Sequence, residues 1–290
     1  MRIIALVENT TLYNLEGSIA SNLETAHGLA LYIETLHHKI LFDVGPNNSL
    51  FNNANSLKIN LTEVDTVIIS HGHKDHGGAL EQFMELNHHA KVYMQKRALL
   101  PHFSHRPTGV ADIGLNTALQ NHPQVILLEG NHKIDAELEL FTVTNNKKCA
   151  SSANGSLYEN NLPDNFLHEQ NLIIKEEKNT LIMGCGHNGV VNIMAEAENI
   201  VQLQAKDKFC KNESAAVITT CVGGFHLTNP SARRNEPKEL LDQIVEHLKK
   251  YKSCTFYTCH CTGTEVYNYL KEQMGNINYL SCGMVITLDA

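Results

Sequence analysis

The chain has 290 residues, a formal net charge of −8, 42% hydrophobic and 19% charged residues, a composition that fills a globular core and argues against disorder. No Lys/Arg block offers the electrostatic footprint of phosphate-backbone binding, so nucleic acid is a disfavoured partner, and no apolar run approaches membrane-spanning length. The N-terminal apolar run stops at Glu8 and Asn9, too short for a secretory signal, and several of the 8 cysteines sit beside His or Gly inside apolar strands without a regular framework. A cytoplasmic protein is expected.

In chain order, Ile3–Val7, Leu29–Glu34, Lys39–Asp43 and Val64–Ser70 are apolar runs of strand length, with a short helix expected over Ser49–Leu57. Gly77–Leu86 places Leu80, Phe83, Met84 and Leu86 at helical spacing, which completes a strand, a His-rich turn and a helix. Strands are then expected at Ala90–Met94, Val125–Leu128, Leu138–Val143, Leu172–Ile174, Thr180–Met183, Ala215–Val222, Cys254–Cys259 and Met284–Leu288. Helices are expected at Asn188–Ala197, Glu236–Tyr251 and Thr264–Met274, the last stopped by Gly275. Strands and helices recur in both halves, near 1–165 and 166–290, without a visible sequence repeat, so we expect one α/β domain over 1–290. The stretch 95–170 has weaker periodicity and scattered Pro, Asn, Ser and His. It reads as loops that shape a site, or as a solvated insertion.

The chemistry concentrates where the run Val64–Ser70 ends in His71-Gly72-His73-Lys74-Asp75-His76. His71 and His73, two apart in extended backbone, project to one side, with Gly72 permitting close approach, and two imidazoles on one side can share a metal. Asp75 and His76 turn away at the helix start and offer a carboxylate and an imidazole to a second metal. His187 and His260 also stand at strand exits ahead of helices and are read as further ligands. Cys259 and Cys261, on the other side of the strand from His260, are expected to be core neighbours. His226, after two glycines, fits substrate contact, proton transfer or a structural hydrogen bond. His102, His105 and Arg106 form either an anion-gripping spot or a solvated loop.

The His-x-His-x-Asp-His segment resembles the metal-binding motif of the metallo-β-lactamase superfamily. Phe42-Asp43-Val44-Gly45 is similar to the superfamily's early Asp-x-Gly, where the Asp supports the metal-bearing loop. Thr180–Val190, Val222–Leu227 and Cys259–Gly263 resemble, more narrowly, the branch of ribofuranosylaminobenzene 5′-phosphate synthase-like, dihydropterin-related hydrolases. The resemblance covers nearly the whole chain. It implies a four-layer αβ/βα sandwich with metals at one edge between two sheets. Three departures or open positions stand out: Cys185 where many members place a bridging Asp, Ala26 in place of an acidic residue before His27-Gly28, and His168-Glu169 near a further ligand position.

These readings converge on a hydrolase-type enzyme in which two divalent ions, zinc first with manganese or iron as alternatives, generate a hydroxide that Asp75 orients. The substrate class is a small anionic metabolite: a phosphoester, an ester, or a pterin or ribosyl phosphate. His226 is a second candidate catalytic residue. A nuclease of the same superfamily and a metal-containing metabolite-binding protein without turnover are the alternatives.

Overall fold

In the strands Arg2–Val7, Ala30–Glu34 and Lys39–Phe42 almost every residue is buried, so both faces of the sheet they build must be covered. The computed structural model, which describes residues 1–11, 22–145, 148–207, 216–229 and 234–288, has that architecture. One seven-stranded sheet runs in the order Val285–Thr287, Arg2–Val7, Ala30–Glu34, Lys39–Phe42, Thr66–Ile68, Lys91–Gln95, Val125–Leu128. A second runs Ile277–Tyr279, Thr255–Thr258, Ile218–Gly223, Asn179–Ile182, Asn171–Lys175, Leu138–Phe141, His132–Lys133.

The two sheets share one pairing pattern. Read from its antiparallel end, the first has three antiparallel pairings and then three parallel ones. Read from His132–Lys133, the second repeats that sequence. The internal similarity is therefore one of topology, with no counterpart in residue identity. The second sheet begins at His132, upstream of the division expected near residue 165.

Alternation along the strands assigns the layers. Ile3, Ala5, Leu31, Phe42 and Ile68 from the first sheet meet Leu140, Leu172, Ile182 and Val222 from the second in the central core. The alternate residues Ile4, Leu6, Leu41 and Val67 pack against Leu50, Leu80 and Phe83 from the helices Ser49–Ser56 and Leu80–Leu86. On the far side, Ile173, Leu181, Cys221 and Phe256 pack against Ile193, Ile244, Leu248 and Leu270 from Val190–Asp207, Lys238–Leu248 and Thr264–Gln273. Each such fully buried side chain contributes about 1.5–3 kcal/mol. The result is the four-layer αβ/βα sandwich.

Several elements differ from the sequence expectation. The region 95–170 is not purely loop: His102–Arg106, Gly109–Asp112, Leu157–Glu159 and Leu162–Pro163 form a separate four-stranded sheet. Its strands are short and half exposed, so they lack the apolar alternation that marks core strands. The helix expected to end at Ala197 runs on to Asp207, because Ile200 and Val201 continue its buried face. The helix expected over Gly77–Leu86 begins only at Leu80, and a separate short helix, Lys74–Gly77, precedes it within the His-rich segment. The short strand Ile277–Tyr279 was not expected, and Ala215, the first residue of an expected strand, lies outside the described residues. Among the described residues no helix is long and apolar enough to cross a membrane.

A surface cluster ties the two sheets together. His38 Nδ1 lies 2.9 Å from Asp65 Oδ1, and Nε2 lies 2.7 Å from Asp135 Oδ2. Asp65 leads into the first sheet, and Asp135 lies between two strands of the second. Burial opposes charge on His38, but its bonds to Asp65 and Asp135 outweigh this and raise its pKa above 6.5. A raised folded pKa gives stabilisation that is complete below the unfolded value and lost as pH rises through the folded one. His38→Gln is expected to cost about 1 kcal/mol in urea unfolding below pH ~6, and less above pH ~9. Equal losses at both pH values would contradict a charged His38.

Candidate metal centre

Nearly all the polar side chains of interest emerge at one edge of the sandwich, where the parallel strands of both sheets end. Asp43 follows Lys39–Phe42 and His71 follows Thr66–Ile68, while His187, His226 and His260 follow Asn179–Ile182, Ile218–Gly223 and Thr255–Thr258. Carboxyl ends of parallel strands are where α/β sheets place ligands, because chain direction reverses there and leaves backbone and side chains free. Three of these residues have left-handed backbone, Asp43 at φ 59°, His226 at φ 49° and His260 at φ 50°. For non-glycine residues that conformation is costly, and it persists where surrounding contacts over-determine it.

The hydrogen-bond network fixes how each imidazole presents itself. Asp43 Oδ1 accepts the Ser70 N–H and Oδ2 accepts the Ser70 hydroxyl, both at 2.7 Å. The Ser70 hydroxyl proton is thereby committed, so Ser70 Oγ accepts from His71 Nδ1 at 2.8 Å. His76 Nδ1 donates to Asp43 Oδ2 at 2.6 Å. Asn154 Nδ2 donates to the His187 carbonyl, which turns Asn154 Oδ1 toward His187 Nδ1 at 3.0 Å. Asn9 Oδ1 accepts the Gly28 N–H and also His260 Nδ1, the latter at 2.9 Å. In these four rings Nδ1 is the bonded nitrogen and Nε2 is turned toward the interior of the site, where it can offer a lone pair to a cation that displaces any proton on it.

Those lone pairs converge. The Nε2 atoms of His71, His73 and His187 are buried with no hydrogen-bond partner. His76 Nε2 and His260 Nε2 face each other at 3.3 Å, and Asp75 Oδ2 lies 3.4 Å from His260 Nε2. Ligand atoms within 4.8 Å of one another form the groups His71, Cys185, His187 and Asp75, His76, Cys185, His260, together with His71, His73, Asp75. Orphaned buried acceptors cost free energy unless a cation satisfies them, and imidazole, carboxylate and thiol donors suit zinc, iron or manganese. The residues present therefore fit bound divalent metal.

The electrostatics agree. Burial, reinforced by neighbouring imidazoles, holds His71, His73 and His187 well below the usual histidine range and so neutral. Burial opposes charge on Asp75, but His76 and His260 hold its carboxyl well below the usual range. Burial also opposes charge on His76, yet Asp43 and Asp75 raise it to about 9. Burial pushes the Cys185 thiol up, and its sulfur lies 3.1 Å from His76 Nε2. Two carboxylates thus favour positive charge at the second group even without a metal.

Close approach has a steric condition. A Cβ at Gly184 would meet Ser70 Oγ at 2.2 Å, and one at Gly72 would meet the Ala98 carbonyl at 2.4 Å. Glycine at 184 lets the Cys185 segment close on Ser70, and glycine at 72 lets the His71–His73 loop close on Ala98 and His102.

All six candidate ligands read from the sequence meet here, in overlapping groups: His187 and His73 each with His71, His73 also with Asp75, and Asp75 with His76 and His260. The His226 ring lies 4.0 Å from that of His187 at a tilt of 52°, and both its ring nitrogens lack hydrogen-bond partners. His27 lies beside them, 3.6 Å from Asp75 and 4.8 Å from the His260 ring. Other expectations need correction. Cys261 is not merely a core neighbour, since it lines the cavity and its sulfur falls within 4.8 Å of ligand atoms of Cys185 and His226, whereas Cys259 is in the central core. Glu169 binds the backbone N–H groups of His187 and Asn188 at 2.7 and 2.8 Å, a prop for the His187 turn. His168 accepts the Gly72 N–H at 3.0 Å and bonds Asp164, so its ring braces the metal loop, and with His73, His102 and Asp164 it also forms a further group whose ligand atoms lie within 4.8 Å of one another. The basic spot is dispersed by strand alternation: His102 is buried beside Asp164, His105 stacks on Tyr158, and Arg106 lines the cavity. Sequence reading missed Asn9, Asn154 and Asp164. Only Glu8-Asn9 carried a signal, as polar residues directly at a strand exit.

A two-sheet αβ/βα sandwich with a histidine-rich edge defines a class of metal-dependent hydrolase folds. The Metallo-beta-lactamase superfamily profile matches residues 26–192, more than half of the chain, and the chain belongs to that superfamily. A relative from Methanocaldococcus jannaschii named 7,8-dihydropterin-6-methyl-4-(beta-D-ribofuranosyl)-aminobenzene-5'-phosphate synthase is 26% identical, with 98% of each chain covered. An uncharacterized protein of the same organism is 24% identical over 90% of this chain and 93% of its own. A crystal structure described as a metal-dependent hydrolase of the beta-lactamase superfamily superposes with a TM-score of 0.74 at 25% identity, covering 100% of both chains.

Asp43 supports both groups at once, so its loss must reach the metals without touching them. Asp43→Asn is expected to weaken zinc binding by about 10–100-fold in a chelator competition. Unchanged affinity in a folded variant would show that the Asp43 network does not orient the rings.

Proposed function

We propose that this protein is a cytoplasmic metal-dependent hydrolase of a small anionic metabolite, of the phosphoester, ester or ribosyl phosphate type. One observation carries the reading: the converging imidazole lone pairs border a cavity of ≈ 700 Å³ that also exposes Lys74 and Arg106. That volume suits a metabolite, and the two cations suit its anionic group. The described cysteines are all free thiols, which fits a reducing compartment.

The metal site would be held by His71, His73 and His187 on one side and Asp75, His76 and His260 on the other. Bound divalent ions, zinc first, would supply Lewis-acid activation of water and of the substrate's polarised oxygen. Asp75 keeps its carboxylate ionised and a quarter exposed, so it can accept a hydrogen bond from the attacking water and orient it. His226, in the cavity wall with both ring nitrogens unpaired, is placed to contact substrate and pass a proton to the leaving group. Arg106 and Lys74, which also line the cavity, would orient the anionic group. The name of the full-length relative favours a second reading, a synthase that handles a phosphoribosyl compound.

Metal-loaded protein assayed on phosphodiesters, lactones, thioesters and pterin ribosides is expected to hydrolyse at least one class. His73→Ala should lose bound metal and activity together, and Arg106→Ala should raise KM by roughly tenfold or more with a smaller change in kcat. Silence on all four classes with metal bound would contradict hydrolysis. Joined products in the presence of a phosphoribosyl donor would favour the synthase.

A further inference from the structure

We propose that Cys185 supplies a thiolate shared by both metals and that this sulfur sets the centre's preference for zinc over manganese. The inference rests on the metal-centre reading above. Cys185 is the residue common to the His71, His187 group and the Asp75, His76, His260 group, its sulfur within 4.8 Å of the ligand atoms in each. It lies 3.1 Å from His76 Nε2, in a side chain almost fully buried.

Its placement is built into the turn. Gly184 before it has no room for a Cβ against Ser70 Oγ, and Gly186 after it has φ +70°. The strand Asn179–Ile182 therefore delivers Cys185 directly between the two halves of the site. The nearby Cys261 is not equivalent, because its sulfur groups only with Cys185 and His226, whereas the Cys185 sulfur is shared by both imidazole groups.

The choice of element matters. A carboxylate here would reach two metals through two hard oxygens, whereas a thiolate reaches both through one soft sulfur. Soft thiolate combined with imidazole selects zinc or iron, while carboxylate-rich sites suit manganese and magnesium. Metal binding releases the Cys185 thiol proton to solvent, as every thiolate site must.

X-ray absorption of the zinc-loaded full-length protein tests this without any substitution. A shared Cys185 predicts sulfur at about 2.3 Å with one sulfur per zinc averaged over two ions. A terminal sulfur gives half that count, and an all-nitrogen/oxygen shell gives none. Either result overturns the proposal. Cobalt titrations of the wild type, Cys185→Asp and Cys261→Ser identify the residue, with melting curves to confirm folding. The sulfur-to-cobalt charge-transfer band should grow through both equivalents, persist in Cys261→Ser and vanish in Cys185→Asp. In Cys185→Asp the zinc-over-manganese preference should also fall by about tenfold or more. A band that survives in Cys185→Asp, or an unchanged metal preference, contradicts the assignment. A wild type that binds no metal overturns the metal-centre reading as well, whereas metal bound without sulfur overturns this inference alone.

Discussion

Asp43 is fully buried at the end of Lys39–Phe42, and its two oxygens accept bonds from the Ser70 N–H, the Ser70 hydroxyl and His76 Nδ1. An ionised carboxylate in that position would be intolerable without such partners. Through Ser70 it reaches His71, and through His76 it reaches the other half of the site. One side chain therefore sets the tautomer of two rings that belong to different ligand groups. Gly184 completes the arrangement by letting the second sheet's turn press against Ser70.

The same solution recurs on the second sheet with different residues. His187 is oriented by Asn154 and its turn is held by Glu169, while His260 is oriented by Asn9 and its N–H is held by Glu8. Glu8 and Asn9 follow the first sheet's Arg2–Val7 and His260 follows the second sheet's Thr255–Thr258, so the site closes only when both sheets are packed. Folding and construction of the centre are thus coupled through the central core of Ile3, Phe42, Leu172 and Val222.

How much of this was legible follows from the physics. The core strands announced themselves, because a strand buried on both faces is a continuous apolar run, and His71 to His76 stood out because six such residues seldom adjoin by chance. His187 and His260 were readable from their place at strand exits. What could not be read depends on contacts between distant parts of the chain. Asn154 is an ordinary polar residue until the His187 carbonyl turns its amide. The four-stranded sheet carrying Arg106 is half exposed and lacks apolar alternation, so it looked like loop. The position of Cys185 between the two groups is likewise tertiary, although its departure from aspartate was visible in sequence.

In the proposed hydrolase, imidazoles fixed by both sheets would hold two metals. Anomalous diffraction at the zinc edge, from crystals of zinc-loaded protein, tests it most directly. Two peaks are predicted, one contacted by His71, His73 and His187 and the other by Asp75, His76 and His260. A single peak, or peaks beside His102, Asp164 and His168 instead, would contradict it.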